Sequence, residues 1–234
     1  MMVTTRGELA ALIDQTQLGL GVTRAEMEVF VANAVRHRFG CVCILPNMVA
    51  LARRVVAGSR TKVATVISFP LGADMPSVKR AETRDAVERG ADEIDLVIDV
   101  AAARMGDTGA IEREVAAVCS VLPDGVLLKT IIEMPLLTPE QAVGAALAAE
   151  RGGAHIVKTS TGFKGLNIRG TTADDVRLLR SVLRPDTGIK AAGGVSSWPL
   201  VAAVLDAGAT RIGTSSGVAI IDQFAKPLAA SAKA

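Results

Sequence analysis

The chain has 234 residues, of which 50% are hydrophobic and only 3% are aromatic. This length suits one closed α/β barrel and is long for an ordinary single domain. The net charge is +2, with 26 basic and 24 acidic residues, so the chain lacks the basic excess that nucleic-acid binding requires. We therefore predict one domain over residues 1–234, with a core of Ala, Val, Ile and Leu and no nucleic-acid partner.

The cysteines and the apolar runs indicate a cytoplasmic protein. Cys41, Cys43 and Cys119 give no disulfide framework, because Cys41 and Cys43 flank one residue of an apolar run and are not expected to pair with each other. Reduced thiols are typical of cytosolic proteins. The N-terminal segment carries charges where a signal peptide is apolar, and no apolar run approaches the ~18–20 residues that span a bilayer. No membrane partner is expected.

Short β-rich runs alternate with segments of helical pattern along the chain. The predicted strands are Leu12–Thr16, Cys41–Leu45, Lys62–Ser68, Glu93–Asp99, Val126–Glu133, His155–Thr159, Gly188–Ala192 and Thr210–Gly213. A short helix is predicted before the first strand. Capping-box patterns predict helix starts at Thr23, Thr138 and Thr172, with Pro139 at the first helical position after Thr138. The tail from 226 to 234 is predicted to be mobile.

No linker or low-complexity stretch divides this alternation. Eight strands in one uninterrupted domain favour a parallel (β/α)8 or TIM barrel of the α/β class, with its helices on the outside. An open, doubly wound sheet is the main alternative. It is disfavoured because the first predicted strand is not followed by a G-x-G-x-x-G turn.

Ionisable residues interrupt strands that should be apolar on both faces in a barrel. They are Asp14, Asp95, Asp99, Lys129, Glu133, Lys158 and Lys190. By side-chain alternation, Asp95 and Asp99 should share one face of their strand, and Lys129 and Glu133 should share one face of theirs. Any one of these residues, taken alone, could also be a solvated charge near the end of a strand. Together they predict a cluster of opposite charges in the lumen, at the carboxyl ends of the strands.

Two neighbouring lysines in such a lumen have a specific chemical use. A nearby positive charge and burial both favour the neutral form of an amine. A neutral amine attacks a carbonyl and forms an iminium, which accepts the electrons of a breaking C–C bond, while a carboxylate and a second ammonium carry protons. Metal-assisted aldol chemistry is the competing solution. It uses several histidine ligands, and the chain has only His37 and His155, so we expect a Schiff-base aldolase without a catalytic metal.

Glycine-rich turns follow the last two predicted strands, at 192–194 and 213–217. In barrel enzymes the loops after strands 7 and 8 often bind a phosphate through backbone N–H groups and a short helix N-terminus. A lone glycine pair is a weak signal, because it also fits a tight turn. Two such turns in these places favour a phosphate site, to which Lys164 could add a cation.

Several segments of the chain resemble the deoxyribose-phosphate aldolase family, in the same order and at the family's spacing. They are Ser68–Ala73, Glu82–Arg84, Gly90–Asp95, Lys158–Phe163, Lys190–Gly194 and Arg211–Ser215. The resemblance extends from about Ile13 to about Ile221 and implies a TIM barrel. It also implies reversible cleavage of a small phosphorylated sugar, 2-deoxy-D-ribose 5-phosphate, to D-glyceraldehyde 3-phosphate and acetaldehyde through a lysine Schiff base, without metal or organic cofactor.

The resemblance assigns roles to individual residues. Lys158 matches the Schiff-base lysine, and Asp95 and Lys190 match the pair that donates and accepts protons. The supporting residues that it implies are Asp14, Lys129 and Cys43. The residues that it implies for the phosphate are Gly193, Gly194, Ser215, Ser216 and Lys164.

The chain departs from the family's common pattern at four positions, Gln15, Asp99, Met134 and Ser196. Histidine, asparagine, threonine and arginine, respectively, are common there in the family. The change at Asp99 should add a negative charge to the barrel mouth, and the change at Ser196 should remove a cationic phosphate contact. The alternatives are a related Schiff-base aldolase with another acceptor aldehyde and a non-catalytic phosphosugar-binding paralogue. A homodimer is left open.

Overall fold

A computed structural model describes residues 3–163, 165 and 169–224. Eight parallel strands close into a barrel in chain order, and the first strand pairs with the last. The predicted (β/α)8 fold is confirmed, and the open-sheet alternative is wrong. Lys164 and the predicted mobile tail, 226–234, lie outside the described residues.

Every predicted strand corresponds to an observed one, with small differences at the ends. The strands are β1 (Ile13–Gln17), β2 (Cys41–Ile44), β3 (Lys62–Ile67), β4 (Glu93–Val97), β5 (Leu127–Ile131), β6 (Ile156–Lys158), β7 (Gly188–Ala192) and β8 (Arg211–Thr214). The prediction that Asp95 and Asp99 share a strand face is wrong, and so is that for Lys129 and Glu133. Both strands end before the second residue of the pair.

Helices surround the barrel and link successive strands. In the described residues they are α1 (Arg6–Ala11), α2 (Arg24–Arg36), α3 (Val49–Val55), α4 (Pro76–Glu88), α5 (Val100–Met105), α6 (Thr108–Cys119), α7 (Pro139–Arg151), α8 (Ala173–Val182), α9 (Trp198–Asp206) and α10 (Gly217–Phe224). The short N-terminal helix is confirmed as α1. The predicted capping boxes at Thr23, Thr138 and Thr172 are present, so each of these threonines starts a helix where the sequence indicated.

The hydrophobic core lies between the outer face of the barrel and the helices. On β4, for example, Ile94 and Leu96 are fully buried in this layer, so the alternating residues Glu93 and Asp95 face the lumen. The apolar residues thus hold the helices, and the lumen is free to carry charged groups. None of the described helices has the length and apolar character of a membrane-spanning segment.

Candidate active site

The barrel lumen holds a cluster of buried ion pairs, called here the lumen cluster. Its members are the cations Lys129, Lys158, Lys190 and Arg211 and the carboxylates Asp14, Glu93 and Asp95. The side chain of Arg211 is 17% exposed, and the others are buried. Of the seven residues predicted for a charge cluster, Asp14, Asp95, Lys129, Lys158 and Lys190 belong to it, whereas Asp99 and Glu133 do not. Because its members come from six strands, only the closed barrel brings them together.

Asp95 is the centre of the lumen cluster. Its Oδ2 lies 2.8 Å from the Nζ atoms of both Lys158 and Lys190, and its Oδ1 lies 2.7 Å from Nζ of Lys129. Burial alone would raise the pKa of Asp95, but the charges of Lys129, Lys158 and Lys190 outweigh it and hold the pKa well below its ordinary value. Asp95 is therefore an ionised carboxylate that contacts three amines at once.

Lys190 lies between two carboxylates. Its Nζ is 2.5 Å from Oδ2 of Asp14 and 2.8 Å from Oδ2 of Asp95. Burial would lower the pKa of Lys190, but the charges of Asp14 and Asp95 raise it above its ordinary value. Lys190 is thus held as an ammonium ion, in reach of the carboxylate that also contacts Lys158.

Glu93 and Arg211 extend the cluster toward the amino ends of the strands. Arg211 contacts Oδ1 of Asp14 at 2.8 Å and Oε1 of Glu93 at 3.2 Å, and Lys129 contacts Oε2 of Glu93 at 2.6 Å. Neither Glu93 nor Arg211 was predicted from the sequence to be a site residue. A signal was present for Glu93, because it lies two positions before Asp95 on the same strand and must face the same side.

Four cations face three carboxylates in the lumen cluster, which leaves one surplus positive charge if every group is ionised. Among the described residues, Lys158 Nζ contacts a single carboxylate, that of Asp95. Lys158 is also the lysine of the cluster that borders the cavity described below. If one amine of the cluster is neutral, the fewest ion pairs are lost when that amine is Lys158.

The sulfur and oxygen atoms of Asp14, Cys41 and Glu93 lie within 4.8 Å of one another, a spacing that could suit a metal ion. The two carboxylates already pair with cations, including Arg211. Burial raises the pKa of Cys41 well above its ordinary value, and the negative charges of Glu93 and Asp14 raise it further. The thiol of Cys41 is therefore protonated. These residues therefore do not fit a metal site.

Cys43, a predicted supporting residue, places its Sγ 3.8 Å from Oδ2 of Asp95. Burial raises the pKa of the Cys43 thiol, and the negative charge of Asp95 raises it further. Cys43 is thus an uncharged neighbour of the central carboxylate.

A cavity of about 390 Å³ opens beside the lumen cluster. The residues that line it are Thr16, Lys158, Thr161, Gly162, Ala192, Gly193, Gly194, Val195, Ser196, Gly213, Thr214, Ser215 and Ser216. Four of the residues implied for the phosphate thus share a wall with Lys158, whereas Lys164 lies outside the described residues. Gly193 and Gly194 have φ values of 94° and 75°, which glycine adopts without strain.

The loop after β6 is fixed by a residue that the sequence analysis placed on the wrong face. Glu133 follows β5 with φ 48°, and its carboxylate accepts hydrogen bonds from Ser160 Oγ at 2.5 Å and from Thr161 N at 3.2 Å. Thr159 links the same loop to the turn after β7, because its hydroxyl accepts a hydrogen bond from Ala192 N at 3.1 Å. These bonds set the distance between Lys158 and the glycine turn.

The four departures from the family pattern have different surroundings. Oδ1 of Asp99 accepts a hydrogen bond from Ala102 N at 3.0 Å and caps α5, so its charge lies against a helix N-terminus. Met134 is buried, and Ser196 lines the cavity. Gln15 bonds to the backbone of the turn after β8.

Comparisons with known proteins agree with this architecture. The sequence model described as DeoC/LacD family aldolase matches residues 9–223. Deoxyribose-phosphate aldolase of Exiguobacterium sibiricum is 44% identical over 91% of this chain and 95% of the relative. That of Streptococcus gordonii is 44% identical over 92% and 96%. The tetrameric deoxyribose phosphate aldolase of Aeropyrum pernix has a TM-score of 0.84 at 32% identity, covering 94% of this chain and 92% of its own.

The barrel and these matches define the class of the protein as a (β/α)8-barrel aldolase, a carbon–carbon lyase. Within that class the chain belongs to the DeoC/LacD family of aldolases. The family resemblance inferred from the sequence motifs is thereby confirmed. The homodimer stays open.

Proposed function

We propose that this chain cleaves 2-deoxy-D-ribose 5-phosphate reversibly to D-glyceraldehyde 3-phosphate and acetaldehyde, with Lys158 as the Schiff-base nucleophile. The relatives that cover nearly the whole chain carry the name of this activity. The observation that carries the assignment of Lys158 is its position between the proton-carrying groups and the glycine turns. Its Nζ lies 2.8 Å from Oδ2 of Asp95, and its side chain borders the cavity that those turns line.

The proposed reaction begins when the neutral amine of Lys158 adds to the C1 aldehyde of the open-chain sugar. Loss of water gives an iminium ion. Removal of the proton from the C3 hydroxyl then breaks the C2–C3 bond, and its electron pair moves to C2 to form an enamine. C3 becomes the aldehyde carbon of D-glyceraldehyde 3-phosphate. Protonation of C2 and addition of water release acetaldehyde and restore the amine.

Asp95 and Lys190 are the groups that we propose for the proton transfers. Their side chains contact each other, and Asp95 contacts Lys158, so a proton can pass within the cluster without a large movement. Asp14 and Lys129 have supporting roles in this proposal. Each belongs to the ion pairs around Lys190 and Asp95 and keeps those side chains in place.

We propose that the phosphate binds at the turns after β7 and β8. Gly193, Gly194, Ser215 and Ser216 line one wall of the cavity and offer backbone N–H groups and hydroxyls, which are suitable donors for an anion. A phosphate on this wall would direct the aldehyde end of the sugar toward Lys158 on the same cavity.

Reduction with borohydride in the presence of the sugar phosphate tests the assignment of Lys158. We expect the peptide that contains Lys158 to gain the mass of the reduced adduct. Lys158→Met should lose both the adduct and turnover. The matched control is Lys62→Met, because Lys62 is an exposed lysine whose loss should leave both unchanged. An adduct on another lysine, or turnover in Lys158→Met, would contradict the assignment.

The same preparation separates the remaining alternatives. A panel of aldehydes would show a preferred acceptor other than D-glyceraldehyde 3-phosphate if the chain is a related aldolase. Binding of the sugar phosphate without turnover would support the non-catalytic alternative. Turnover that is lost in a chelator and restored by a divalent ion would support metal-assisted chemistry.

The cytoplasm is the compartment that we propose for this activity. The described cysteines are free thiols, as in proteins that are kept in a reducing environment.

A further inference from the structure

Gln15 joins three elements behind the wall of the cavity. Its Oε1 accepts a hydrogen bond from Gly217 N at 3.0 Å, and its Nε2 donates one to Ser215 O at 3.2 Å. Gln15 is part of β1, Ser215 follows β8, and Gly217 begins α10. One side chain thus fixes both the start of α10 and the turn that carries Ser215 and Ser216.

The contact depends on the absence of a side chain at residue 217. A Cβ atom on Gly217 would clash with Oε1 of Gln15 and would lie 2.9 Å from Cζ of Phe39. Phe39 and Ile13 belong to the hydrophobic core outside the barrel, so the amide of Gln15 lies in that layer, behind the turn. The chain therefore has a glycine where α10 must approach Gln15 closely.

The two bonds also determine which way the turn presents its polar groups. The carbonyl of Ser215 bonds to Gln15 in the core layer, and so its negative end is directed away from the cavity wall. Ser216 N donates to Thr214 Oγ1 at 2.9 Å, which completes the turn from the other side. A carbonyl turned toward the cavity would repel an anion, whereas this arrangement removes that repulsion.

An amide is well suited to this position, because it donates and accepts a hydrogen bond at once and carries no charge. Gln15 is also one of the positions at which this chain departs from the common pattern of its family. The flanking residues Asp14 and Thr16 face the lumen cluster and the cavity, so Gln15 is next to the site without touching Lys158.

We infer that Gln15 is a positioning residue that holds the turn after β8 in its anion-binding form and thereby sets the affinity for the phosphate end of the substrate. The inference rests on the proposed function, since it takes the substrate to be a sugar phosphate bound at this turn. Gln15 acts through Ser215 and Gly217, and the imine chemistry at Lys158 proceeds without it.

The test compares two variants with 2-deoxyribose 5-phosphate and with unphosphorylated 2-deoxyribose. In Gln15→Met the amide is lost, and in Gln15→Asn it is too short to reach both backbone groups. For the phosphorylated sugar we expect KM to rise about ten-fold, as for the loss of one or two hydrogen bonds, and kcat to change less than about three-fold. For the unphosphorylated sugar kcat/KM should stay within about three-fold. Inhibition by inorganic phosphate should weaken in parallel.

Gln141→Met is the matched control. The amide of Gln141 also bridges two backbone groups, accepting from Thr138 N at 2.9 Å and donating to Arg104 O at 2.7 Å, but it lies at the start of α7. This variant should leave KM for both sugars unchanged. Circular dichroism and thermal melting show whether each variant folds.

Three results would overturn the inference. One is an equal loss of kcat/KM for both sugars, and another is a fall in kcat with KM unchanged. The third is failure of both variants to fold, which would assign Gln15 to stability alone. These results are distinct from failure of the proposed function, which the wild-type chain would reveal by having no turnover of the phosphorylated sugar.

Discussion

Asp95 is the residue on which the lumen cluster depends. Its two oxygen atoms contact the amines of Lys129, Lys158 and Lys190, so one carboxylate neutralises charges that would otherwise repel one another in a buried space. Breaking a buried ion pair from one side typically costs about 3–5 kcal/mol. The contribution of Asp95 to stability is therefore hard to separate, by changing Asp95 alone, from the role in proton transfer that we propose for it.

Lys190 is a better position at which to test the chemistry. Lys190→Leu removes the ammonium ion that Asp14 and Asp95 hold in place. We expect turnover to fall on the order of 10²–10⁴-fold, the usual contribution of a general acid or base. Steady-state kinetics with the sugar phosphate measures turnover, and borohydride trapping shows whether Lys158 still forms the imine.

Lys190→Arg provides the control for this prediction. It keeps the charge and alters the geometry, so it should restore the melting temperature better than turnover. A purely structural Lys190 would give a different pattern, in which Lys190→Arg restores turnover together with the melting temperature.

At the residue scale the sequence revealed those charges that interrupt an apolar run, such as Lys158 between Val157 and Thr159. Glu93 and Arg211 were not predicted to be site residues, because each is the first residue of its strand, where a charged side chain is also expected to be exposed to solvent. Gln15 was noted as a departure from the family pattern, but its contacts were not predicted, because a neutral amide gives no charge signal and its partners are about 200 positions away. Such a contact forms only when the barrel closes, so it cannot be predicted from the spacing of residues along the chain.

At the scale of elements, a buried ion pair connects two helices to the rim of the barrel. Lys79 of α4 pairs with Glu114 of α6, and its Nζ also donates to Gly72 O at 2.7 Å and Val97 O at 3.0 Å. Oε2 of Glu114 accepts from Asp99 N at 2.9 Å. The pair thus fixes the loop after β3 and the end of β4, on which Asp95 stands.

Lys79→Met should lower the free energy of unfolding by about 3 kcal/mol, because it leaves Glu114 buried without its cation. Burial already raises the pKa of Glu114, and the hydrogen bond from Lys79 acts against that rise. The double variant Lys79→Met, Glu114→Met should recover part of the loss, since no unpaired charge remains. Urea denaturation of the single and double variants measures both effects.

Arg89→Met is the control for this prediction, because Arg89, directly after the last residue of α4, forms an exposed ion pair with Asp85 of that helix. Its loss should lower the free energy of unfolding much less than the loss of Lys79, because solvent screens an exposed ion pair. If Lys79→Met cost no more than Arg89→Met, the buried pair would contribute no more than a surface pair does.

The elements also show why strand ends were the least accurate part of the sequence analysis. Apolar residues continue past β4 and β5, so the pattern predicted longer strands. Strand β4 ends before Asp99 because Asp99 caps α5. Strand β5 ends before Glu133 because Glu133 adopts a left-handed conformation and bonds to the loop after β6. The capping boxes at Thr23, Thr138 and Thr172 were predicted correctly because both partners of each lie within four consecutive residues.

At the scale of the whole molecule, the lumen cluster makes stability depend on pH. Lysine and arginine charges outweigh burial and hold the pKa values of Asp14 and Asp95 below their ordinary values. Groups with a lowered folded pKa stabilise the protein above their unfolded pKa, near 3.9, and lose this contribution as the pH falls below it. Urea denaturation should therefore show the free energy of unfolding decreasing from about pH 5 downward.

Lys129 and Lys190 should not contribute to this acid effect. The pKa values of Lys129 and Lys190 are raised, so their contribution is complete below the unfolded value of about 10.4 and is lost only in strong alkali. Asp95→Asn should be less stable at neutral pH and show a shallower decline in acid. Equal slopes for the wild type and Asp95→Asn would exclude Asp95 as a source of the acid sensitivity.

The contact between Arg211 and Asp14 has a consequence for synthesis of the chain. These residues are 197 positions apart, and they meet only when β8 has emerged and closed against β1. Before that moment Asp14 has no Arg211 beside it, and a lumen sealed over an incomplete set of charges would be unfavourable. The nascent chain therefore gains little by closing early, and long-range closure of this kind is slow. Assembly of the lumen cluster is thus delayed until the last strand is available.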